Sequence, residues 1–161
     1  MVHLNMTTSD RSARWRCSGT LLNSKWVLTA ADCVAGLCTT TQMHLFSVCV
    51  CAVPLPNPET LQQLKIPIMP QTTCKATYPQ LTSSMLCAGV SAGGKDACTG
   101  DSGSPLVCRA AGRFVQVGIM SYGSSDGCGL PGKPGVYTRV FNTGLTTSIQ
   151  FKQQQYEAIV V

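Results

Sequence analysis

Ten cysteines in a chain of 161 residues limit what this sequence can fold into. Such a content is high for a reducing compartment and is typical of small extracellular domains held together by disulfides. Aromatic residues make up only 6% of the chain, so the predicted core consists mainly of Val, Leu, Ile, Met and Ala. We therefore expect a single disulfide-bonded domain over residues 1–161 that is secreted.

The first residues do not by themselves direct export. Residues 1–10 contain no apolar stretch of the kind that a signal peptide carries. No apolar run in the chain approaches the roughly 20 residues needed to cross a bilayer. We expect an extracellular protein that does not associate with a membrane and whose leader precedes this sequence.

The charged residues do not form a strong binding surface. The net charge of +5 arises from 12 Lys and Arg against 7 Asp and Glu, and the densest group is Arg11, Arg14 and Arg16. No aromatic side chains are interleaved with these arginines, so we expect a solvated loop and no nucleic-acid partner. The sequence predicts no cofactor.

Short apolar stretches separated by Gly- and Pro-containing turns predict an all-β fold. A hairpin is expected between residues 104–109 and 114–122. Further strands are expected at 2–7, 15–22, 26–29, 60–69, 85–88 and 135–140, with a turn or short helix at 73–78. Strands of this length and spacing are typical of a sandwich or barrel. Residues 149–161 give only weak support for a helix, because they end in Val-Val.

The most informative motif is KDACTGDSGSPL at residues 95–106. Glycines on either side of an Asp-Ser pair expose the Ser102 hydroxyl and direct backbone N–H groups toward one point. Taken alone, such a tetrapeptide is more often a turn. It is not the nucleophile elbow of α/β-hydrolases, because that pattern requires glycine where Ser104 stands.

Three further motifs follow the same order as in one known family. They are CSGTLL with WVLTAA at 17–31, SYG at 121–123 and GKPGVYTRV at 132–140. Together with residues 95–106, they resemble four segments of trypsin/chymotrypsin-like serine proteases. Residues 17–31 resemble the segment that carries the histidine, and residues 95–106 resemble the one that carries the nucleophile. Residues 121–123 resemble the strand that binds substrate, and residues 132–140 resemble the strand that closes the specificity pocket. The resemblance covers residues 17–34 and 53–140. It implies an incomplete trypsin-like double β-barrel, with part of the first barrel and most of the second.

The resemblance assigns roles to particular residues. It makes Ser102 the nucleophile and the N–H groups of Gly100 and Ser102 the oxyanion hole. It places Asp96 at the floor of a pocket that binds Lys or Arg of a protein or peptide substrate or inhibitor. The expected pocket walls are Ser121, Tyr122, Gly123 and Gly135, with Tyr122 in place of the more usual Trp.

Two members of the catalytic triad are not found. Asp32 stands at the position of the family's histidine, and a carboxylate with a pKa near 4 is a far weaker base than imidazole. The chain passes from the region of Cys33 directly to residues 54–64, which resemble the second barrel, so the segment carrying the triad aspartate is absent. One-domain barrels often have 200–250 residues, and by that measure we expect roughly eighty residues to be missing from the middle of this sequence. The two histidines, His3 and His44, are expected to be surface residues.

The resemblance also implies three disulfides, Cys17–Cys33, Cys74–Cys87 and Cys98–Cys128. The partner of Cys108 would lie in the absent segment, although a cysteine of the junction offers an alternative. Residues Cys38, His44, Cys49 and Cys51 have no familiar zinc-site spacing, so we expect no metal.

An atypical junction at about 35–53 and an atypical tail at about 141–161 leave three hypotheses. The chain is a serine endopeptidase that hydrolyses peptide bonds after Lys or Arg, a secreted pseudoprotease that binds ligands through the Asp96 pocket, or a truncated gene product without function. Because the triad is incomplete, we expect it to be catalytically inactive.

Overall fold

The computed structural model describes residues 1–7, 13–35, 61–110 and 112–140, together with a strand at 157–160. These residues form two antiparallel sheets and two short helices. His44 and the junction cysteines Cys38, Cys49 and Cys51 lie outside the described residues.

The first sheet has three antiparallel strands in sequence order. Strands β1 (Val2–Thr7), β2 (Arg14–Leu21) and β3 (Val27–Leu28) pair through Val2 opposite Gly19 and Leu21 opposite Val27. The turn between β2 and β3 is fixed by the Asn23 side chain, whose Oδ1 accepts the N–H groups of Lys25 and Trp26. Helix α1 (Ala31–Ala35) follows directly.

The second sheet has six strands, and every neighbouring pair is antiparallel. Its elements are β4 (Leu64–Pro67), helix α2 (Gln71–Thr77), β5 (Met85–Ala88), β6 (Pro105–Ala110), β7 (Arg113–Tyr122), β8 (Gly135–Arg139) and β9 (Glu157–Val160). The strand order is β4-β9-β6-β7-β8-β5. The all-β class expected from the sequence is confirmed, and the two separate sheets fit the expected incomplete double barrel.

Strand β9 differs from the weak helical expectation for the tail. It lies between β4 and β6, with Ile66 opposite Ala158 and Val107 opposite Ile159. Pairing on both sides satisfies the backbone N–H and C=O groups of β9 and those of β4 and β6 that face it. A short helix in place of β9 would leave the facing groups of β4 and β6 unpaired. The β-branched residues Ile159 and Val160 also favour a strand. Long-range pairing therefore decides the conformation of this segment.

Helix α2 is close to the predicted turn or helix and ends where proline chemistry requires it. Tyr78 has left the helical region, with φ −123° and ψ 88°, and Pro79 follows it. A residue before proline is disfavoured in the α-helical conformation, and proline cannot donate a backbone hydrogen bond. The Cys74–Cys87 disulfide attaches this helix to β5.

The buried residues form separate clusters in the two sheets. In the second sheet Ile66, Leu106 and Tyr137 are fully buried, and a second cluster contains Cys74 of α2 together with Leu81 and Val136. The cluster of the first sheet consists of Cys17, Ala30 and Cys33, and Ile119 of β7 packs against it. That contact joins the two sheets.

Large apolar side chains of the first sheet and its loops face solvent. Trp26 is 68% exposed and Leu22 is 58% exposed, and Leu21, Val27 and Val34 are also exposed. A barrel that retains only three described strands leaves such faces without packing partners.

Neither described helix, at five and seven residues, is long enough to span a bilayer.

The backbone around Ser102 connects the two sheets directly. The Ser18 N–H donates to the Ser102 carbonyl at 2.8 Å, and the Gly103 N–H donates to the Met120 carbonyl at 2.8 Å. Thr29 Oγ1 donates to the Ser18 carbonyl at 2.7 Å. Gly103 has φ +86°, and a Cβ there would collide with the Ser18 carbonyl and Thr29 Oγ1. Only glycine fits this junction without strain.

We predict that Gly103→Ala lowers the free energy of unfolding by about 2–5 kcal/mol, because it adds an unfavourable φ and a steric collision. The matched control is Gly112→Ala, which has φ +76° but nothing within 4 Å of an added Cβ. The control should cost about 1 kcal/mol. Urea unfolding of the oxidised proteins measures both values. Equal losses for the two variants would contradict the proposed collision at Gly103.

Candidate active site

The Ser102 hydroxyl donates a hydrogen bond to Asp32 Oδ2 at 2.8 Å. Asp32 lies in the first turn of α1, which the Cys17–Cys33 disulfide attaches to β2. The Trp15 indole N–H donates to the Cys33 carbonyl at 2.9 Å and fixes the helix further. The residue that replaces the family's histidine in sequence is therefore also the hydrogen-bond partner of the serine in space.

No described imidazole contacts the serine. His3 is exposed on β1, where it lies opposite Ser18, and no hydrogen bond joins it to Ser102. Asp32 is exposed, so the carboxylate beside Ser102 is hydrated.

The loop around Gly100 leaves two backbone donors available. The Asp101 N–H donates to the Cys98 carbonyl at 2.9 Å, and the Ser104 N–H donates to the Asp101 carbonyl at 2.8 Å. Within the described ranges, no hydrogen bond uses the N–H groups of Gly100 or Ser102. Gly100 has φ +98°, a conformation that its lack of a side chain permits. Two unpaired N–H groups beside a serine are what an oxyanion hole requires.

Asp101 is held inside this loop. Its Oδ2 accepts the Cys98 N–H at 2.8 Å, and burial raises the pKa of its carboxyl above the ordinary value, while the hydrogen bond from Cys98 lowers it. No Lys or Arg forms an ion pair with Asp101 in the part of the chain that the structure describes.

A cleft of about 1080 Å³ runs between the two sheets and contains the predicted site. Its lining includes the predicted residues Asp32, Asp96, Gly100, Ser102, Ser121, Tyr122 and Gly123. The Cys98–Cys128 disulfide attaches the loop that carries Gly100 and Ser102, here called the serine loop, to the loop at residues 123–132. Two chain segments distant in sequence therefore form one wall.

Asp96 lies half-buried in this cleft with one of its oxygens unpaired. Its Oδ2 accepts the Gly129 N–H at 2.9 Å, whereas its Oδ1 is buried and has no hydrogen-bond partner. Burial raises the pKa of the Asp96 carboxyl, while backbone hydrogen bonds from Gly129 and Ala97 lower it. A Cβ at Gly135 would lie 3.1 Å from Asp96 Oδ1, so a larger residue there would crowd this oxygen.

The remaining predicted wall residues differ in environment. Nothing lies within 4 Å of a Cβ built on Gly123, so this residue borders open space. The Tyr122 ring packs edge-on against Tyr78 with centroids 5.9 Å apart, and its hydroxyl contacts Met85 Sδ at 3.8 Å. These contacts explain how a tyrosine is accommodated at this position.

The sequence analysis missed two residues near the pocket. Tyr137 is fully buried, and its hydroxyl has no hydrogen-bond partner. A Cβ at Gly135 would lie 3.4 Å from this hydroxyl, so Tyr137 and Asp96 approach the same point. Its position two residues after Gly135 on a strand, which places both on one face, was the available signal. Gly129, the donor to Asp96, carries no comparable signal.

The three disulfides expected from the resemblance are present, and Cys108 is a buried free thiol on β6. Burial raises the pKa of that thiol. Over the described ranges, no group of three or more His, Cys, Asp or Glu side chains has the arrangement of a metal site.

Comparison with known proteins settles the family. Residues 1–48 and 44–144 match the family model described as Trypsin. The chain belongs to the trypsin family. The match is wider than the sequence motifs, since it includes residues 1–16 and the junction at 35–53.

The relatives of this trypsin-family chain are proteases by name. Transmembrane protease serine 7 of Rattus norvegicus is 54% identical over 84 residues, which are 51% of this chain and 10% of the relative. Serine protease 1 of Rattus norvegicus is 51% identical over 87 residues, 53% of this chain and 33% of the relative. Serine protease 56 of Homo sapiens is 51% identical over 90 residues, 53% of this chain and 15% of the relative. The matched part thus spans between a tenth and a third of these relatives.

We predict that Asp96→Asn stabilises the folded protein at neutral pH. Because burial raises the pKa of Asp96, the folded chain binds this proton more tightly than the unfolded chain. The carboxylate therefore has no effect below its ordinary pKa, and its destabilisation is complete above the raised pKa. The melting temperature of the variant should exceed that of the wild type at pH 7, and the two should converge toward pH 3.

Asp126→Asn is the matched control for this measurement. Asp126 is 65% exposed and lies 3.8 Å from Lys133 Nζ, so its loss should change stability by no more than about 1 kcal/mol. A lower melting temperature for Asp96→Asn than for the wild type at pH 7 would refute the prediction.

Proposed function

We propose that this trypsin-family chain is an extracellular pseudoprotease, which binds Lys or Arg side chains of proteins or peptides in its cleft and does not hydrolyse their peptide bonds at a useful rate. The observation that carries the proposal is the hydrogen bond from Ser102 to Asp32. A carboxylate occupies the position from which a base would act on the nucleophile.

The exchange of imidazole for carboxylate weakens proton transfer. The base must accept the serine proton as the oxygen attacks, and the best catalytic base has a pKa near the working pH. An aspartate has a reference pKa of about 3.9, compared with about 6.5 for histidine. In subtilisin, removal of the triad histidine lowers kcat by about 2 × 10⁶. That factor corresponds to about 8–9 kcal/mol of activation free energy.

The proposal that the cleft binds a basic side chain rests on different atoms from those of Ser102 and Asp32. Asp96 Oδ1 is buried without a hydrogen-bond partner among the described residues, which is costly unless a ligand supplies a donor. A guanidinium or ammonium group supplies several donors together with the charge that a carboxylate favours. The cleft therefore suits a basic side chain, independently of whether Ser102 reacts.

The cysteines support the extracellular part of the proposal. Three disulfides connect described elements of both sheets, and such bonds persist in oxidising compartments. We propose that residues 1–161 form a single trypsin-like domain, with its unusual sequence confined to the junction at about 35–53 and the tail at about 141–161.

Binding without cleavage is tested with a capped peptide that contains one arginine. We expect calorimetry to detect binding that weakens at least about tenfold in Asp96→Asn, because a charge-assisted contact contributes about 1.5–3 kcal/mol. Ser102→Ala should bind within about twofold of the wild type, and Asp126→Asn is the control for net charge. Mass spectrometry should find the peptide intact after incubation.

Three outcomes contradict the proposal. Cleavage that disappears in Ser102→Ala would show that the chain is a protease. Binding that is unchanged in Asp96→Asn would place the arginine elsewhere. A chain that fails to fold cooperatively would favour a truncated gene product.

The missing base is tested by Asp32→His. We predict that this variant hydrolyses an arginine p-nitrophenyl ester roughly 10- to 100-fold faster than the wild type. The estimate is the difference between losing the histidine and losing only the aspartate of a triad. Asp32→Asn is the matched control, because it is similar in size and supplies no imidazole. No gain for Asp32→His in a folded protein would show that the base does not limit the reaction.

A further inference from the structure

Two carboxylates line the same cleft in different settings. Asp96 is half-buried, with one oxygen bonded to the Gly129 N–H and the other unpaired. Asp32 is exposed and uses Oδ2 to accept the Ser102 hydroxyl. The cleft thus presents a sheltered anionic site and a second, open one near the nucleophile.

Neither carboxylate has a cationic partner among the described residues. Throughout the described residues, no Lys or Arg forms an ion pair with Asp32 or Asp96, whereas Asp126 outside the cleft has Lys133 at 3.8 Å. Arg16 also lines the cleft, beside Gly100, and has interactions of its own. As far as the described residues go, the charge of the two aspartates is therefore available to a ligand.

Unpaired polar atoms beside the cleft residue Asp96 indicate a ligand that brings hydrogen-bonding groups. The unpaired Asp96 Oδ1 and the unpaired hydroxyl of the fully buried Tyr137 both approach the point where a Gly135 Cβ would lie. Buried polar atoms normally have partners, so two unpaired ones near one point favour a ligand that brings hydrogen-bonding groups to them. This observation is independent of Asp32.

The residue at position 32 determines the sign of the charge beside this pocket. An imidazole there would be neutral or positive, and a positive one would repel a second basic side chain. The carboxylate attracts one, over the short range that salt permits for an exposed charge. The exchange therefore alters ligand choice as well as proton transfer.

We infer that the preferred ligand is a peptide segment with two adjacent basic residues, one bound by Asp96 and the other by Asp32. The inference rests on the proposed function, because it assumes that one arginine or lysine occupies the Asp96 pocket. It adds a second specificity-determining residue, Asp32, and a narrower class of ligand.

The test compares capped tripeptides that differ in one charge. The singly basic probe is acetyl-citrulline-arginine-alanine amide, and the doubly basic probe replaces citrulline by arginine. A second pair, with the variable residue after the arginine, tests the other direction. Citrulline has the size of arginine and no charge, so each pair isolates the second cation. Affinities are measured at low ionic strength for the wild type, Asp32→Asn, Asp96→Asn and Asp126→Asn.

We expect one doubly basic probe to bind the wild type about two- to fivefold more tightly than its citrulline partner, as exposed ion pairs allow. This gain should disappear in Asp32→Asn, persist in Asp126→Asn and diminish as salt is added. A gain that survives in Asp32→Asn, or the absence of any gain in the wild type, overturns the inference.

The two proposals fail in distinguishable ways. If the singly basic probe binds in an Asp96-dependent manner and the second cation adds nothing, the proposed function stands and only the role of Asp32 is wrong. If neither probe binds the folded wild type, both proposals are wrong.

Discussion

The hydrogen bond between the Ser18 N–H and the Ser102 carbonyl joins the parts of this molecule on which the site depends. One strand of the first sheet thereby holds the serine loop, while the Gly103 N–H ties the same loop to Met120 in the second sheet. The disulfide from Cys17 to Cys33 then positions α1 and Asp32 relative to that loop. These backbone hydrogen bonds and the disulfide together fix the distance between Ser102 and Asp32.

Local sequence patterns predicted most of the second sheet, because its strands are apolar stretches separated by Gly- or Pro-containing turns. The bounds of β5 agree with the pattern, and α2 ends before Pro79 as proline geometry requires. Strand β9 was not predicted, because its conformation depends on pairing with β4 and β6, which precede it in the chain by dozens of residues. Pairings of that kind leave no local periodicity.

The candidate site, like the second sheet, was predicted from the sequence only in part. The motifs brought Asp32, Asp96 and Ser102 to attention, and the structure places all three in one cleft. The motifs did not indicate that Asp32 accepts the serine hydroxyl, or that Gly129 donates to Asp96. These contacts depend on the directions of side chains and loops from separate elements, which residue identity does not encode. The unpaired hydroxyl of Tyr137 likewise became visible only through its neighbours.

The thiol of Cys108 can be used to measure opening of the second sheet. It is 1% exposed on β6, a strand with partners on both sides, and burial raises its pKa. Alkylating reagents react with thiolates, so this cysteine stays inert while β6 remains paired. Its rate of modification by iodoacetamide therefore reports the separation of β6 from β7 and β9. Unfolding that is limited to the first sheet would not change this rate.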